Sequence, residues 1–176
     1  SGKTHYSLLA GEPDLRSGVA EHAMTLYGGH ISAENTVIFS GTQGALFASF
    51  LCLTEAGDEV IVPEPFYSTY PAVVTAGGAT MVSVIFEKSE GYTLNLDKIK
   101  AAVTDKTKAI LINSPSNPSG AVFDQQTLND LAQYCHENSI WLVSDEVYWS
   151  VTFEGEHTSA YKNEQYRSTT IVVNSL

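Results

Sequence analysis

The sequence predicts a three-layer α/β domain built on a largely parallel sheet. From residue 36 onward, short apolar runs alternate with segments of helical periodicity. The apolar runs are nearly continuous, as expected of strands that helices cover on both faces. With 176 residues and 43% hydrophobic content, the chain is large enough for one domain with a core. No linker or internal repeat divides residues 36–176, so residues 1–35 are interpreted as a segment and helix leading into that domain.

The predicted elements follow one another in βαβ order. Strands are predicted at Thr36–Ser40, Glu59–Val62, Thr80–Phe86, Ala109–Asn113, Ile140–Ser144 and Thr170–Asn174. Helices are predicted at Gln43–Thr54, Tyr67–Ala76, Leu96–Val103 and Asp124–Asn138. The last helix has the clearest pattern, because Asp124 can cap it and Leu128, Leu131 and Cys135 recur on one face.

Composition excludes several classes of function. The formal net charge is −11, and only two arginines are present, so no basic patch is available to bind nucleic acid. No stretch approaches the ~18–20 apolar residues that a membrane span requires, and no signal peptide is recognisable. The five histidines show no metal-ligand spacing and are interpreted as solvated or structural. Cys52 and Cys135 are interpreted as buried reduced thiols. We therefore expect a cytoplasmic protein without a metal site.

Polar and aromatic residues follow most of the predicted strands. In parallel sheets, ligands bind beyond the carboxyl ends of the strands, so these groups are expected to share one site. The segments that follow the strands are Ser40–Gly44, Pro63–Tyr67, Asn113–Gly120, Ser144–Tyr148 and Asn174–Leu176.

Each segment offers a different chemistry. Gly41-Thr42-Gln43 opens a helix, where unpaired amides and the helix dipole favour an anion such as phosphate. Tyr67 offers an aromatic face for a flat heteroaromatic ligand, although core packing is the alternative. Asn113 and Asn117 lie in a loop stiffened by prolines and could donate to a ligand oxygen, or simply belong to a polar loop.

Asp145 is the most informative single residue. It ends a buried strand, where a carboxylate is costly without a cationic partner, and no lysine or arginine lies near it in sequence. A ligand cation such as a protonated ring nitrogen could pair with it; helix capping or a distant lysine are the alternatives. Tyr148 would place its phenol on the same side, and Glu146 is expected to point away.

Four motifs, in this order along the chain, resemble the fold-type I pyridoxal phosphate enzymes. They are Gly41-Thr42-Gln43 before a helix, GDEVIVPEPFY at 57–67, N-P-x-G at 117–120 and SDEVY at 144–148. Within that group the chain is similar to class I/II aminotransferases of the aspartate and kynurenine aminotransferase type. The resemblance covers essentially the whole chain and implies their large domain, with a mostly parallel mixed sheet.

The resemblance also implies roles for individual residues. Asp145 would pair with the nitrogen of the pyridoxal 5'-phosphate ring, and Tyr148 and Asn117 would bind its 3′ oxygen. Asp145 and Tyr148 are thus the predicted catalytic residues, while Tyr67 would stack on the pyridine and Asn113 would lie near the ring or substrate.

The remaining implied contacts concern the phosphate. The backbones of Gly41, Thr42 and Gln43 would cradle it, and Ser175 would touch it. Tyr6 would reach the phosphate of the neighbouring subunit in a homodimer. The substrates implied are an amino acid and a 2-oxo acid.

Two family features fall outside the sequence as given. The Schiff-base lysine would lie two positions beyond Leu176, and the small domain with the arginine that binds the substrate carboxylate would follow it. We therefore expect a large-domain fragment, truncated before that lysine, which contains most of the cofactor site but does not itself transaminate.

Four alternatives remain at this stage. A pyridoxal phosphate-dependent C–S lyase or an aminocyclopropane carboxylate synthase-like enzyme would share the same site residues. A non-catalytic aminotransferase-like regulatory domain would share them too. A P-loop NTPase is suggested by Ser1-Gly2-Lys3-Thr4, but Gly11 and Pro13 follow where that motif requires a helix.

Overall fold

A five-stranded sheet forms the centre of the chain in the computed structural model, which describes residue 2 and residues 4–175. The strand order is β2-β1-β3-β4-β5, and all four pairings are parallel. The strands are β1 (Glu59–Glu64), β2 (Thr80–Ile85), β3 (Thr107–Asn113), β4 (Trp141–Asp145) and β5 (Thr170–Val173). The chain adds β2 on one side of β1 and β3 on the other, so a topological switch point lies between β1 and β3. Because the strands are parallel, the carboxyl ends of β1, β3 and β4 lie at one edge.

Helices connect the strands and cover the sheet. They are α1 (Pro13–Tyr27), α2 (Thr42–Leu53), α3 (Tyr70–Thr75), α4 (Leu96–Ala102) and α5 (Gln125–Glu137), joined by short 3-10 turns. Each helix predicted after residue 36 is present within a few residues of its expected bounds. Asp124 caps α5 as predicted, accepting a hydrogen bond of 2.9 Å from the Thr127 amide.

Two apolar cores lie on opposite faces of the sheet, which confirms the three-layer arrangement. On one face Ile110 packs with Leu131 of α5 and Ile99 of α4. On the other face Leu111 packs with Phe50 of α2, so neighbouring residues of the same strand enter different cores. This explains the continuous apolar runs: a central strand covered on both faces gains from burying every side chain.

The predicted strand at Thr36–Ser40 is wrong. Residues 36–39 have no assigned secondary structure, and Ile38 bonds through its amide to the Ala10 carbonyl at 3.0 Å. Val37 and Phe39 are exposed. An apolar run becomes a strand only when a neighbouring strand pairs with it, and the described residues supply none here. The antiparallel component that the resemblance implied is likewise not found among the five strands described.

The environments of the cysteines differ from the expectation. Cys135 is buried on α5, whereas Cys52 is exposed on α2, so the prediction of two buried thiols is wrong for Cys52. Across residues 2 and 4–175, no helix combines the length and apolarity that crossing a bilayer needs. In the same part of the chain no cluster of three or more metal-ligating side chains is present.

Candidate functional site at the carboxyl ends of the strands

The ends of β3 and β4 define the candidate site. Asn113, the last residue of β3, is in register with Asp145, the last residue of β4. On its other side Asp145 is in register with Val173 of β5. Because these strands run parallel, the residues that follow them leave the sheet at the same edge. This register places the ends of β3, β4 and β5 side by side at one edge, where the sequence analysis expected a shared site.

Asp145 is a buried carboxylate with neutral partners. Its residue is 4% exposed. Its Oδ2 accepts a 2.6 Å hydrogen bond from the Tyr70 hydroxyl, and its Oδ1 accepts one of 3.2 Å from the Val147 amide. Among the described residues no lysine or arginine forms an ion pair with it. Burial raises the pKa of Asp145, the adjacent Glu146 charge adds to the rise, and the two hydrogen bonds oppose it.

Tyr70 is a site residue that the sequence analysis missed. It begins α3 and is 1% exposed, and burial together with the Asp145 charge raises the pKa of its phenol, which therefore stays a donor. Its ring also meets Tyr67 edge-on, with centroids 6.0 Å apart. The only sequence signal is its spacing of three residues from Tyr67; nothing local indicates a partner 75 positions away.

Asn113 fixes the loop that carries Asn117. Its Nδ2 donates to the Asp145 carbonyl at 2.9 Å, and its Oδ1 accepts from the Asn117 amide at 2.7 Å. Both polar ends of the Asn113 side chain are therefore engaged within the protein. The Asn117 side chain in turn donates to the Tyr148 hydroxyl at 3.3 Å. Tyr148 is 38% exposed, so this amide–phenol pair lies on the open side of the site.

The start of α2 lies beside the same group. Gly41 precedes the helix with φ of 89°, and a Cβ built on it would meet nothing within 4 Å. The Gln43 side chain accepts a 2.6 Å hydrogen bond from the Thr69 hydroxyl. Thr69 is followed directly by Tyr70, which bonds Asp145. Two consecutive residues thus connect the amino end of a 12-residue helix to the buried carboxylate.

The remaining predicted site residues are Ser175 and Tyr6. Ser175 follows β5 and donates through its amide to the Asn174 side chain at 2.7 Å. It lines a cavity of about 420 Å³ together with Val147, next to the Asp145 strand end. Tyr6 is fully exposed and shares no hydrogen bond or ring contact with the other described site residues. The alternative motif at residues 1–4 includes two positions, 1 and 3, that lie outside the described residues.

The comparisons with known proteins agree with this geometry. The model of the family "Aminotransferase class I and II" matches residues 2–176. Arginine–pyruvate transaminase of Pseudomonas aeruginosa is 40% identical over 176 residues, which cover all of this chain and 45% of that protein. Aspartate/prephenate aminotransferase of Thermus thermophilus is 39% identical over 158 residues, covering 90% of this chain and 41% of that protein.

Solved structures give the same result. Aspartate aminotransferase of Thermus thermophilus with maleate superimposes with a TM-score of 0.93 at 38% identity, over 98% of this chain and 45% of the other. The chain spans less than half the length of these relatives. A family match over nearly the whole chain, with the same fold at this identity, shows that the chain belongs to the class I and II aminotransferases, a family that depends on pyridoxal 5'-phosphate.

Proposed function

We propose that this chain forms the cofactor-binding part of an aminotransferase that moves an amino group between an amino acid and a 2-oxo acid. The observation that carries the proposal is the environment of Asp145. Its carboxylate is buried, and its hydrogen-bond partners within the described part of the chain are a neutral hydroxyl and a neutral amide. A protonated ring nitrogen would supply the positive charge that the described side chains do not.

The residues around Asp145 fit the rest of the ring. Asn117 and Tyr148 present an amide and a phenol on the open side, suited to a ring oxygen that carries negative charge. Tyr67 is partly exposed and offers an aromatic face. In this proposal Asn113 is a positioning residue, because its own polar atoms already bond Asp145 and Asn117.

The phosphate would be bound at the start of α2. The Gly41 amide already donates to the Phe39 carbonyl at 2.9 Å. The anion would therefore be bound by the backbone amides of the first helical turn, which begins at Thr42 and has no acceptors within the helix. The space beside Gly41, where a side chain would otherwise stand, allows a close approach. Ser175 would add a hydroxyl from the end of β5.

Each protein group then has a defined task in the reaction. When bound, pyridoxal phosphate would supply an electron sink for chemistry at the Cα of the amino acid. Asp145 keeps the ring nitrogen protonated, which requires the carboxylate to stay ionised although burial raises its pKa. The Tyr70 hydrogen bond favours that ionised form and holds the carboxylate in one orientation. Tyr148 donates or accepts at the ring oxygen, with Asn117 fixing its phenol.

The proposal extends to partners and location. The relatives are named for different amino donors, arginine and aspartate among them, so the identity of the donor is left to experiment. The resemblance implies a homodimer with Tyr6 contacting the partner's site, and the composition favours the cytoplasm. The net charge of −11 argues against nucleic acid as a partner of this region.

A direct test compares two carboxylate-to-amide substitutions in the full-length protein. Asp145→Asn removes the charge at the ring nitrogen, whereas Asp124→Asn makes the same change at the α5 cap, outside the site. Pyridoxal phosphate affinity, measured by absorbance and dialysis, should fall strongly for Asp145→Asn and hold for Asp124→Asn. Equal affinity of the two variants, or no cofactor binding by the wild type, would overturn the proposal.

Product analysis separates the remaining reaction classes. With an amino acid and a 2-oxo acid supplied together, transfer yields a new amino acid. Release of ammonia and a thiol would instead identify a lyase, and a cyclic amino acid product would identify an aminocyclopropane carboxylate synthase-like enzyme. Cofactor binding without any turnover would favour a regulatory domain.

A further inference from the structure

A second buried acid follows Asp145 and has a separate set of partners. The Glu146 side chain is 1% exposed. Its Oε1 accepts from the hydroxyls of Ser144 at 2.8 Å and Ser159 at 2.7 Å. Its Oε2 lies 2.7 Å from Nε2 of His157. Both carboxylate oxygens are therefore satisfied, and none of the three donors bonds Asp145.

The His157 side chain is also buried. Its side chain is 8% exposed, and its Nδ1 has no hydrogen-bond partner among the described residues. A protonated Nδ1 would be a buried donor without an acceptor, so we assign the ring proton to Nε2, which donates to Glu146. The Glu146 carboxylate is thus hydrogen-bonded by the side chains of Ser144, Ser159 and His157.

Main-chain contacts of residues 145 and 146 hold the backbone on both sides of this turn. The Asp145 carbonyl accepts hydrogen bonds from Nδ2 of Asn113 and from the backbone N–H of Ser114, at the end of β3. The Glu146 amide bonds the Val173 carbonyl of β5 at 2.8 Å, and its carbonyl accepts from the Trp149 amide at 2.9 Å. The turn that carries Asp145 and Tyr148 is therefore held through Glu146 as well as through β3.

The same contacts anchor a long surface segment. Residues 152–156 are mostly exposed, with Phe153 almost completely so. The chain returns to the interior at His157 and Ser159, which bond Glu146. A separate anchor holds Ser159 from α5, where Gln125 bonds its backbone N–H and carbonyl. Thr158 also bonds the Phe123 carbonyl, and Lys162 bonds the His157 carbonyl. Of these attachments, only the bonds to Glu146 pass through the residue next to Asp145.

We propose that Glu146 and His157 are positioning residues that hold the Asp145–Tyr148 turn in the orientation that the cofactor requires. The inference rests on the proposed function of Asp145 as the partner of the ring nitrogen. It adds that the affinity for the ring depends on a buried carboxylate–imidazole pair that never touches it. Loss of the His157 donor removes a hydrogen bond from Oε2 of Glu146, and the turn shifts in response.

The test uses three variants of the full-length protein. His157→Phe keeps an aromatic ring but removes the donor, and His157→Gln restores an N–H close to the position of Nε2. Gln125→Ala is the matched control, because it loosens the same segment without touching Glu146. Two quantities are measured: the dissociation constant of pyridoxal phosphate, and the ¹⁵N chemical shift of its labelled ring nitrogen, which reports whether that nitrogen is protonated.

The expected pattern differs among the variants. His157→Phe weakens cofactor binding roughly tenfold, the lower end of what losing an outer-shell partner costs at metal sites. It also moves the ¹⁵N shift toward the unprotonated ring. His157→Gln recovers most of both quantities, and Gln125→Ala leaves both near the wild type. Equal behaviour of His157→Phe and Gln125→Ala would overturn the inference, because it would reduce His157 to an anchor of the surface segment.

A milder variant covers the case in which His157→Phe does not fold. Ser144→Ala removes one donor from Glu146 with almost no change in shape, and it should weaken binding and move the ¹⁵N shift in the same direction. Wild-type values in Ser144→Ala would then contradict the inference. Asp145→Asn distinguishes the two proposals: if it binds cofactor like the wild type, the proposed function fails; if only the Glu146 and His157 results are negative, the positioning role alone fails.

Discussion

The Tyr70 hydroxyl lies 2.6 Å from Oδ2 of Asp145, joining the first residue of α3 to the last residue of β4. Both residues are almost fully buried. The bond gives the carboxylate a fixed orientation and partly offsets the rise in the pKa of Asp145 that burial causes. The position of α3 against the sheet is therefore coupled to the electrostatics of the site.

Tyr70→Phe removes this hydrogen bond and should weaken pyridoxal phosphate binding by about 1 kcal/mol, the usual net contribution of one hydrogen bond. The pKa of Asp145 would rise further, because a contact that favours the ionised form is lost. Tyr134→Phe on α5 makes the same chemical change outside the site. Titration of both variants with cofactor checks the prediction, and equal affinities would contradict it.

The raised pKa of Asp145 predicts a pH-dependent stability in the cofactor-free protein. Asp145 binds its proton more tightly in the folded than in the unfolded chain, so the folded state carries more protons between the two pKa values. The free energy of unfolding should therefore fall as pH rises from about 4, where an ordinary aspartate titrates, through the raised pKa of Asp145.

Asp145→Asn should lack this decrease. Urea unfolding of both proteins at several pH values gives the two slopes, and their difference cancels groups common to both, such as Asp124, whose pKa is lowered. The prediction concerns how the free energy of unfolding changes with pH and not its absolute value, because the substitution also alters the bonds to Tyr70 and Val147. Parallel pH profiles of the two proteins would show that burial does not raise the pKa of Asp145 in the folded chain.

Asn117 and Tyr148 should act as a coupled pair. Asn117→Ala and Tyr148→Phe each remove one side of the 3.3 Å contact on the open side of the site. Cofactor affinity should fall in both single variants, with the double variant departing from additivity by about 0.5 kcal/mol or more. Thermal unfolding should change little because Tyr148 is partly exposed. Full additivity would indicate that the two residues act separately.

Gly41 and Gly44 offer a matched pair at the start of α2. Gly41 has φ of 89°, so Gly41→Ala should destabilise the fold by about 1–3 kcal/mol and place a methyl group where the phosphate would approach. Gly44 lies within the helix with ordinary packing space, so Gly44→Ala should be neutral or stabilise by up to about 1 kcal/mol. Urea unfolding measures the change in stability, and competition between inorganic phosphate and pyridoxal phosphate measures the change in phosphate binding. A Gly41→Ala variant that binds cofactor normally would argue against a phosphate site there.

The two cysteines should differ in reactivity. Cys52 is exposed, whereas Cys135 is buried and its pKa is raised by burial to about 12. A thiol reagent added to the native protein should therefore modify Cys52 within minutes and Cys135 only after unfolding. Mass spectrometry of peptides from native and urea-treated samples distinguishes the two. Native labelling of Cys135 would indicate that α5 opens readily.

The sequence predicted the elements whose signals are local. The α5 helix was found through its apolar spacing and its Asp124 cap, and the parallel sheet through continuous apolar strands that both cores confirm. The failed strand at Thr36–Ser40 shows the limit of this approach. Its residues are as apolar as those of β1, but strand formation depends on a partner that no local pattern reveals.

By itself the sequence determined the fold class, the polar groups at the strand ends and the family to which they point. Only the tertiary structure decided that Tyr70 bonds Asp145, that Asn113 is occupied in holding Asn117, and that Glu146 pairs with His157. Residue type and periodicity predict whether a side chain is buried. Hydrogen bonds between distant positions depend on how separate helices and strands are docked, because that docking sets distances to a few tenths of an ångström.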